Sequence, residues 1–178
     1  MAQIDDFKAE LAGGGFRPNQ FRVTITPPAG IAIGLDVRKT SFLCKGTQIP
    51  DITIGDITLA YRGRSIKLAG DRDTTGDWTT EFYMDTDFAV QNALQRWSNG
   101  INDFDTNLGV NSLADYATDL TAELLDRDDT VLKTYIFKNA FPTTITAGPA
   151  LDAAAPSEIG TFSCTWKYQN YSISGVNF

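Results

Sequence analysis

The sequence predicts a mostly β domain, a sandwich or small barrel with one α-helix on its flank. Short runs of alternating apolar and polar residues recur along the chain, separated by glycine, proline and acidic residues typical of turns. Only one long segment has clear helical spacing. The 178 residues, 42% of them apolar, suffice for one core but not for two, so residues 1–178 are expected to form a single domain.

The N-terminal segment, residues 1–15, is predicted to be flexible apart from one short helix. Ile4, Phe7 and Leu11 have helical spacing, and three consecutive glycines end that helix. The pattern then changes to alternation. A strand is therefore predicted over 21–26, where two prolines stop it.

The next part of the chain is predicted to leave the core sheet and return to it. A strand is predicted over 41–45. β-branched residues around a glycine then indicate that 51–60 protrude as a hairpin or loop. The chain is expected to return as a strand over 61–69 and to turn within 70–77. A further strand over 78–84 places these residues on one face: Trp78, Thr80, Phe82 and Met84.

One helix follows that strand. We expect Thr86 or Asp87 to cap its N-terminus and Asn99 with Gly100 to end it in a left-handed turn. Its apolar stripe consists of Val90, Leu94 and Trp97.

The last third of the chain is predicted to be β structure. Residues 113–124 show both helical spacing and alternation; we favour a hairpin for their latter half, with the return strand over 131–138. Pro142 and the Pro- and Ala-rich loop 147–156 indicate a loose connection. A strand over 161–168 turns alternate residues inward, namely Phe162, Cys164, Trp166 and Tyr168.

Composition argues against several classes of function. Fifteen basic and 22 acidic residues give a net charge of -7, which disfavours a protein that grips nucleic acid. There is no histidine, so the usual general base and commonest metal ligand are missing. Cys44 and Cys164 lie far apart in predicted strands and are expected to be buried free thiols. Neither a secretory signal nor an apolar run of about 20 residues is visible, so we expect no membrane anchor.

The candidate chemical motifs are weak. Residues 71–77 imitate the start of a calcium loop, but Phe82 stands where the bidentate glutamate is needed. The acid pairs 85/87 and 103/105 are better explained as a helix N-terminus and a polar loop than as glycosidase carboxylates. The glycines at 13–15 continue into no phosphate-binding motif. No cofactor and no metal are therefore predicted.

A group of cations is interleaved with aromatic residues and faces nearby acids. We interpret it as a surface that pairs with neighbouring subunits and not as a nucleic-acid stripe. The cations are Arg62, Arg64, Lys67 and Arg72, and the acids are Asp71, Asp73 and Asp77.

Several segments, in order and spacing, resemble the T4-like tail tube proteins of contractile-tailed bacteriophages. They are FRPNQFRV at 16–23, FLCK at 42–45, IP at 49–50, GRSIKLAGDR at 63–72, DW at 77–78, YMD at 83–85, the helix ending in Trp97, LDRD at 125–128, AFPT at 140–143 and the strand 161–168. The resemblance covers most of the chain. The chain departs from the family pattern at 147–156 and at 172–178. The second of these ranges looks like a C-terminal extension.

The resemblance implies hexameric rings whose inner sheets join into one lumen wall, stacked into a rigid tube, with a fold shared by the type VI secretion tube protein. It implies no enzymatic activity. The expected partners are further copies of the chain, the tail sheath protein, the baseplate hub, a tape-measure protein in the lumen and double-stranded DNA as transient cargo. The expected location is the tail of the virion, after synthesis in the host bacterial cytoplasm.

Subunit and ring contacts are expected at a defined set of residues, because a protruding segment and a charged surface suit ring stacking. The set is Phe16, Arg17, Asn19, Ile52, Ile54, Ile57, Tyr61, Arg62, Arg64, Asp71, Arg72 and Asp77. We also expect the surplus acid to face the lumen, since a wall with the charge of phosphate disfavours sticking of DNA.

Two other functions remain open at this stage. The first keeps the architecture but places it in a phage-derived injection particle or bacteriocin. The second is a β-sandwich module that binds carbohydrate or protein. An enzyme ranks below both, because no catalytic group is found.

Overall fold

The computed structural model describes residues 4–11, 14–73, 76–154 and 157–176. Its helices are α1 Ile4–Glu10, α2 Val37–Leu43, α3 Ala89–Ile101 and α4 Leu113–Tyr116. Its strands are β1 Phe21–Thr24, β2 Cys44–Gln48, β3 Thr53–Tyr61, β4 Arg64–Asp73, β5 Trp78–Tyr83, β6 Thr118–Leu125, β7 Val131–Ile145, β8 Thr161–Lys167 and β9 Asn170–Gly175.

Seven strands form one antiparallel sheet in the order β1-β6-β7-β8-β5-β2, with β9 also paired to β7. The long β7 joins two parts of this sheet, since it pairs first with β6 and β9 and then, from Phe141 onward, with β8. Asn139 lies just before that junction with a φ of 51°, a conformation that asparagine tolerates. The outer strands β1 and β2 approach each other, so the sheet curls toward closure. The predicted sandwich or barrel is confirmed.

The core is built around three fully buried tryptophans, Trp78, Trp97 and Trp166. Trp78 stacks on Phe137 with ring centroids 4.3 Å apart, and the Trp97 ring meets Trp166 edge-on at 5.4 Å. Each indole nitrogen donates a hydrogen bond: Trp78 to Thr47 Oγ1, Trp97 to the Tyr116 carbonyl and Trp166 to Thr80 Oγ1. No indole N–H is therefore buried without an acceptor.

The predicted inward faces of β5 and β8 are confirmed, since Phe82, Phe162 and Cys164 are buried between them. The stripe of α3 is confirmed as well, because Val90, Leu94 and Trp97 are buried against the sheet. Gln91 is also buried, and its Nε2 donates to the carbonyls of residues 146 and 147 at 3.2 Å. These bonds fix α3 on the flank of the sheet.

The predicted caps of α3 are wrong. Its N-cap residue is Phe88, with a φ of 51°, and the side chain that accepts from the first helical N–H is Asp85. The helix also passes Gly100 and ends at Ile101. A Cβ on Gly100 would lie 2.5 Å from Ile31, so this glycine serves close packing and not a turn.

The predicted strand over 41–45 is wrong in its first part, where α2 extends to Leu43. Asp36 caps this helix, as its Oδ1 accepts from the Lys39 N–H at 3.0 Å. Thr40 is buried in it and donates to the Asp36 carbonyl at 2.7 Å. The β-branched and aromatic residues here gave a strand signal that the cap and the packing override.

One expectation for the C-terminal third also needs correction. Strand β7 continues through Pro142 to Ile145, with a register shift just after the proline, where a missing N–H is tolerated. In the predicted C-terminal extension, residues 172–175 belong to β9 and pair with β7. Val176 follows them with a hydrogen bond from its N–H to the Leu132 carbonyl, and residues 177 and 178 lie outside the described part.

Candidate assembly surface

Strands β3 and β4 form a two-stranded sheet separate from the core sheet. They pair from Thr53 with Asp73 to Tyr61 with Arg64, so the predicted protrusion is longer than 51–60, which supplies only its first strand. Two residues, Arg62 and Gly63, make the turn with φ values of 47° and 80°. Positive φ at both positions is the geometry of a tight hairpin whose twist matches its strands.

The predicted return strand over 61–69 and turn within 70–77 are therefore shifted. Strand β4 starts at Arg64 and continues through Gly70 to Asp73. A Cβ on Gly70 would lie 3.2 Å from the backbone of Gly55, so paired glycines permit the close approach at the bulge beside Gly55. The predicted turn also includes residues 74 and 75, which lie outside the described part.

One face of this hairpin is apolar and exposed. Ile57 lies opposite Leu68, and Leu59 lies opposite Ile66. Each of these four side chains is about half exposed, from 47% to 50%. Side chains of this type are normally buried, and several together on one surface mark a contact site.

The opposite face is polar or small. Its residues are Asp56, Thr58, Ala60, Ser65, Lys67 and Ala69. Lys67 forms an ion pair with Asp56 across the two strands. The alternation of strand residues thus separates an apolar face from a solvated one.

The four predicted cations do not form one cluster. Arg62 and Arg64 lie at the tip, where the Arg62 guanidinium is 5.3 Å from the centre of the Tyr61 ring. Lys67 is used within the hairpin, and Arg72 lies near its base, opposite Ile54. Tip and base are separated by roughly 25 Å of strand.

The other predicted contact residues lie in two places. Phe16 and Asn19 line an open groove of about 850 Å³ beside β2, together with Ile49 and Tyr83, and Arg17 is exposed next to them. The second group, Ile52, Ile54, Tyr61 and Asp71, is exposed along the hairpin. Asp77 pairs with Lys167 of the same chain, so it is already used within the subunit.

Three apolar hairpin residues were absent from the predicted site, namely Leu59, Ile66 and Leu68. The alternation of Arg64, Ser65, Ile66, Lys67 and Leu68 carries the signal, but the sequence alone leaves open which face the core covers. In the described structure the residues of both faces are exposed or, at Gly70, intermediate, so the core covers neither face of the hairpin.

The acidic pairs are held in structural roles. Lys39 Nζ lies 2.5 Å from Asp85 Oδ2 and 2.9 Å from Asp87 Oδ2, so one ammonium ties α2 to the start of α3. The hydrogen bond from Lys39 lowers the pKa of Asp87, and the same contacts raise the pKa of Lys39. Asp103 accepts from the backbone N–H groups of residues 105 and 106, which lowers its pKa. The carboxylates of Asp85, Asp87 and Asp103 thus brace a helix end or a loop.

Both cysteines are free thiols. Cys164 is buried as expected, while Cys44 is only half-buried at the start of β2. Burial raises the pKa of Cys44 to about 12 and also raises that of Cys164, so neither thiol is activated. Among the described residues, no three His, Cys, Asp or Glu side chains come together as metal ligands. None of the described helices is long and apolar enough to cross a bilayer.

Comparison with known proteins decides the family. Residues 16–174 match the sequence model of the phage tail tube protein family, which covers the core sheet and the whole hairpin. The chain belongs to the phage tail tube protein family. A tail tube protein is a structural subunit of the virion and not an enzyme, in agreement with the sequence analysis.

Individual relatives agree with this membership. The tail tube protein of Serratia phage KSP90 is 28% identical over 170 residues, which are 94% of this chain and 95% of that protein. Among solved structures, a chain of the PVC sheath-tube complex, which is an extracellular contractile injection system, has a similar fold. That match has 19% identity, a TM-score of 0.66, and 99% and 100% coverage of the two chains. The tube-terminating cap of the anti-feeding prophage matches with 21% identity, a TM-score of 0.65, and 90% and 91% coverage.

Proposed function

We propose that this chain assembles into hexameric rings that stack into the inner tube of a contractile phage tail. The single observation that carries the proposal is the hairpin β3–β4, which exposes an apolar face outside a core that is already complete. A face of this kind is costly in water unless another surface covers it. In a tube, the adjacent ring supplies that surface.

Closure of the ring uses the edges of the core sheet. β1 and β2 end the strand order, and although they approach each other, no backbone ladder joins them, so each has one edge that is not paired within the described chain. Edges of this kind pair with neighbouring copies to give one continuous wall. Because such a contact joins different surfaces of identical copies, it closes a ring whose top and bottom differ, and rings of this kind stack.

The tube serves as a conduit. A sheath protein surrounds it and drives it through the host envelope, a baseplate hub closes its lower end, and a tape-measure protein occupies the lumen before DNA passes. The net charge of -7 supports a lumen that repels phosphate and lets double-stranded DNA slide. Mapping the lumen charge in the assembled tube tests this point, and a net positive wall contradicts it.

A second candidate is the tube of a phage-derived injection particle. The structural likeness to the injection-system tube and to the anti-feeding prophage cap favours it. The sequence likeness to a phage protein favours the virion. Capsid and terminase genes beside the gene for this chain would separate the two, since a particle without DNA needs neither.

The proposal is tested by negative-stain electron microscopy of the purified chain, with light scattering for its mass. Rings or hollow tubes of uniform width support it, and a strictly monomeric chain at high concentration contradicts it. Leu59→Asp places a charge on the apolar face and should leave rings that do not stack. The matched control, Ala60→Asp, adds the same charge on the opposite face one residue away and should still form tubes.

A further inference from the structure

Helix α1 has an apolar stripe without a surface to cover it. Ile4 and Phe7 are 73% and 67% exposed, and Leu11, whose N–H bonds to the Phe7 carbonyl, is 44% exposed. No residue of the helix is buried. A helix of seven residues is too short to be stable in water alone, so it needs a surface to pack on.

The hairpin β3–β4 also has an apolar face that nothing covers in the described chain. An isolated two-stranded sheet is marginally stable in water. Its exposed apolar face is formed by Ile57, Leu59, Ile66 and Leu68, which lie opposite one another on the two strands. The apolar stripe of α1 and the apolar face of the hairpin could therefore cover each other.

The charges of α1 and of the hairpin tip are also opposite. α1 carries Asp5, Asp6 and Glu10 against a single Lys8, so the helix is net negative. The hairpin tip carries Arg62 and Arg64, and neither guanidinium is paired with a carboxylate within the described residues. Opposite charges around an apolar contact set its orientation and suppress wrong pairings.

From the matching apolar faces and the opposite charges, we infer that α1 of one copy packs on the apolar face of the hairpin of a neighbouring copy. This inference rests on the proposed function, because the neighbour is the adjacent subunit of a tube. The contact joins two different surfaces, so it repeats from ring to ring without closing. Several such contacts act at once between two rings, which multiplies a weak single contact.

Pairing of two hairpins face to face fits less well. Such a contact uses the same surface on both partners and closes a dimer, whereas a tube needs a contact that continues. It also leaves α1 uncovered. The helix of a neighbouring copy satisfies both surfaces.

The test uses two chains in a Cys44→Ser background, which removes the half-buried native thiol, so that each chain has one introduced cysteine besides the buried Cys164. One chain carries Phe7→Cys and the other carries Leu59→Cys. They are mixed with an excess of the Cys44→Ser chain, so that most contacts between rings keep Phe7 and Leu59, and are then assembled, oxidised and run on a denaturing gel without reductant. Both positions are exposed, so neither change disturbs the core. Ala60→Cys replaces Leu59→Cys in the control, because it faces the other side of the hairpin.

The expected result is a cross-linked dimer in the mixture of Phe7→Cys with Leu59→Cys, at least tenfold more abundant than in either chain alone or in the Ala60→Cys control. Tubes that form without this dimer, or that cross-link Leu59→Cys to itself, overturn the inference and leave the proposed function intact. If the unchanged chain forms neither rings nor tubes, the proposed function and the inference are overturned together.

Discussion

Removing one leucine from the hairpin should weaken tube growth far more than it weakens the fold. In the single chain Leu68 is 48% exposed. Complete burial of a leucine contributes about 1.5–3 kcal/mol, so covering the remaining half contributes about 1 kcal/mol, and Leu68→Ala loses most of it. Across the six identical contacts of a hexameric ring the loss is about 6 kcal/mol, or a factor of about 10⁴ in the equilibrium constant for ring addition.

The assay is the concentration of protein that stays in the supernatant after tubes are pelleted at equilibrium. Leu68→Ala should raise it until no tubes form at concentrations where the unchanged chain polymerises. Thr58→Ala, which removes a side chain of similar size from the polar face, should leave it near the original value. Equal supernatant concentrations for the unchanged chain and Leu68→Ala would refute the role of this face in stacking.

Three further predictions concern the subunit itself. Trp97→Phe should destabilise the fold by about 2–4 kcal/mol in urea unfolding, because a buried ring shrinks and the Tyr116 carbonyl loses its 2.7 Å donor. Lys39→Met should lower the urea midpoint at pH 7. The difference from the unchanged chain should shrink as pH falls through the lowered pKa of Asp87, because a carboxylate with a lowered pKa stabilises the fold only while it is ionised. Cys44 should react slowly with a thiol reagent at pH 8, measured by absorbance, because its pKa is raised to about 12.

The sequence predicts the core well where one side of an element is buried. The alternation of β5 and β8 and the stripe of α3 each have a polar partner face, so the pattern alone identifies which residues turn inward. Composition also argues against catalysis and metal binding without any coordinates. Periodicity says nothing about how copies of the chain assemble. That expectation comes from the resemblance of several segments to a known family.

The failures lie where local patterns are ambiguous. In α2, residues such as Thr40 and Phe42 favour a strand on intrinsic preference, and the cap from Asp36 together with the burial of Thr40 reverses that preference. At the start of α3 the sequence favours Thr86 or Asp87 as the cap, because both lie nearer to the first helical residue. In the structure Asp85, four residues before Ala89, accepts from the Ala89 N–H instead. In the hairpin, a positive φ at Arg62 is uncommon for a residue other than glycine or asparagine, so the turn lacks the usual sequence signal.

The division between core and hairpin also leads us to expect a defined order of assembly for the proposed tube. The three tryptophans are fully buried in the single chain, so folding does not wait for a partner. The four half-exposed apolar residues of the hairpin together offer about 4 kcal/mol when covered, which corresponds to a dissociation constant of only about 1 mM for one contact. In the proposed tube, a single subunit held by this contact alone would leave the tube end at micromolar concentration. A closed hexameric ring would make six such contacts together, so we expect the tube to grow by whole rings, with ring closure before stacking.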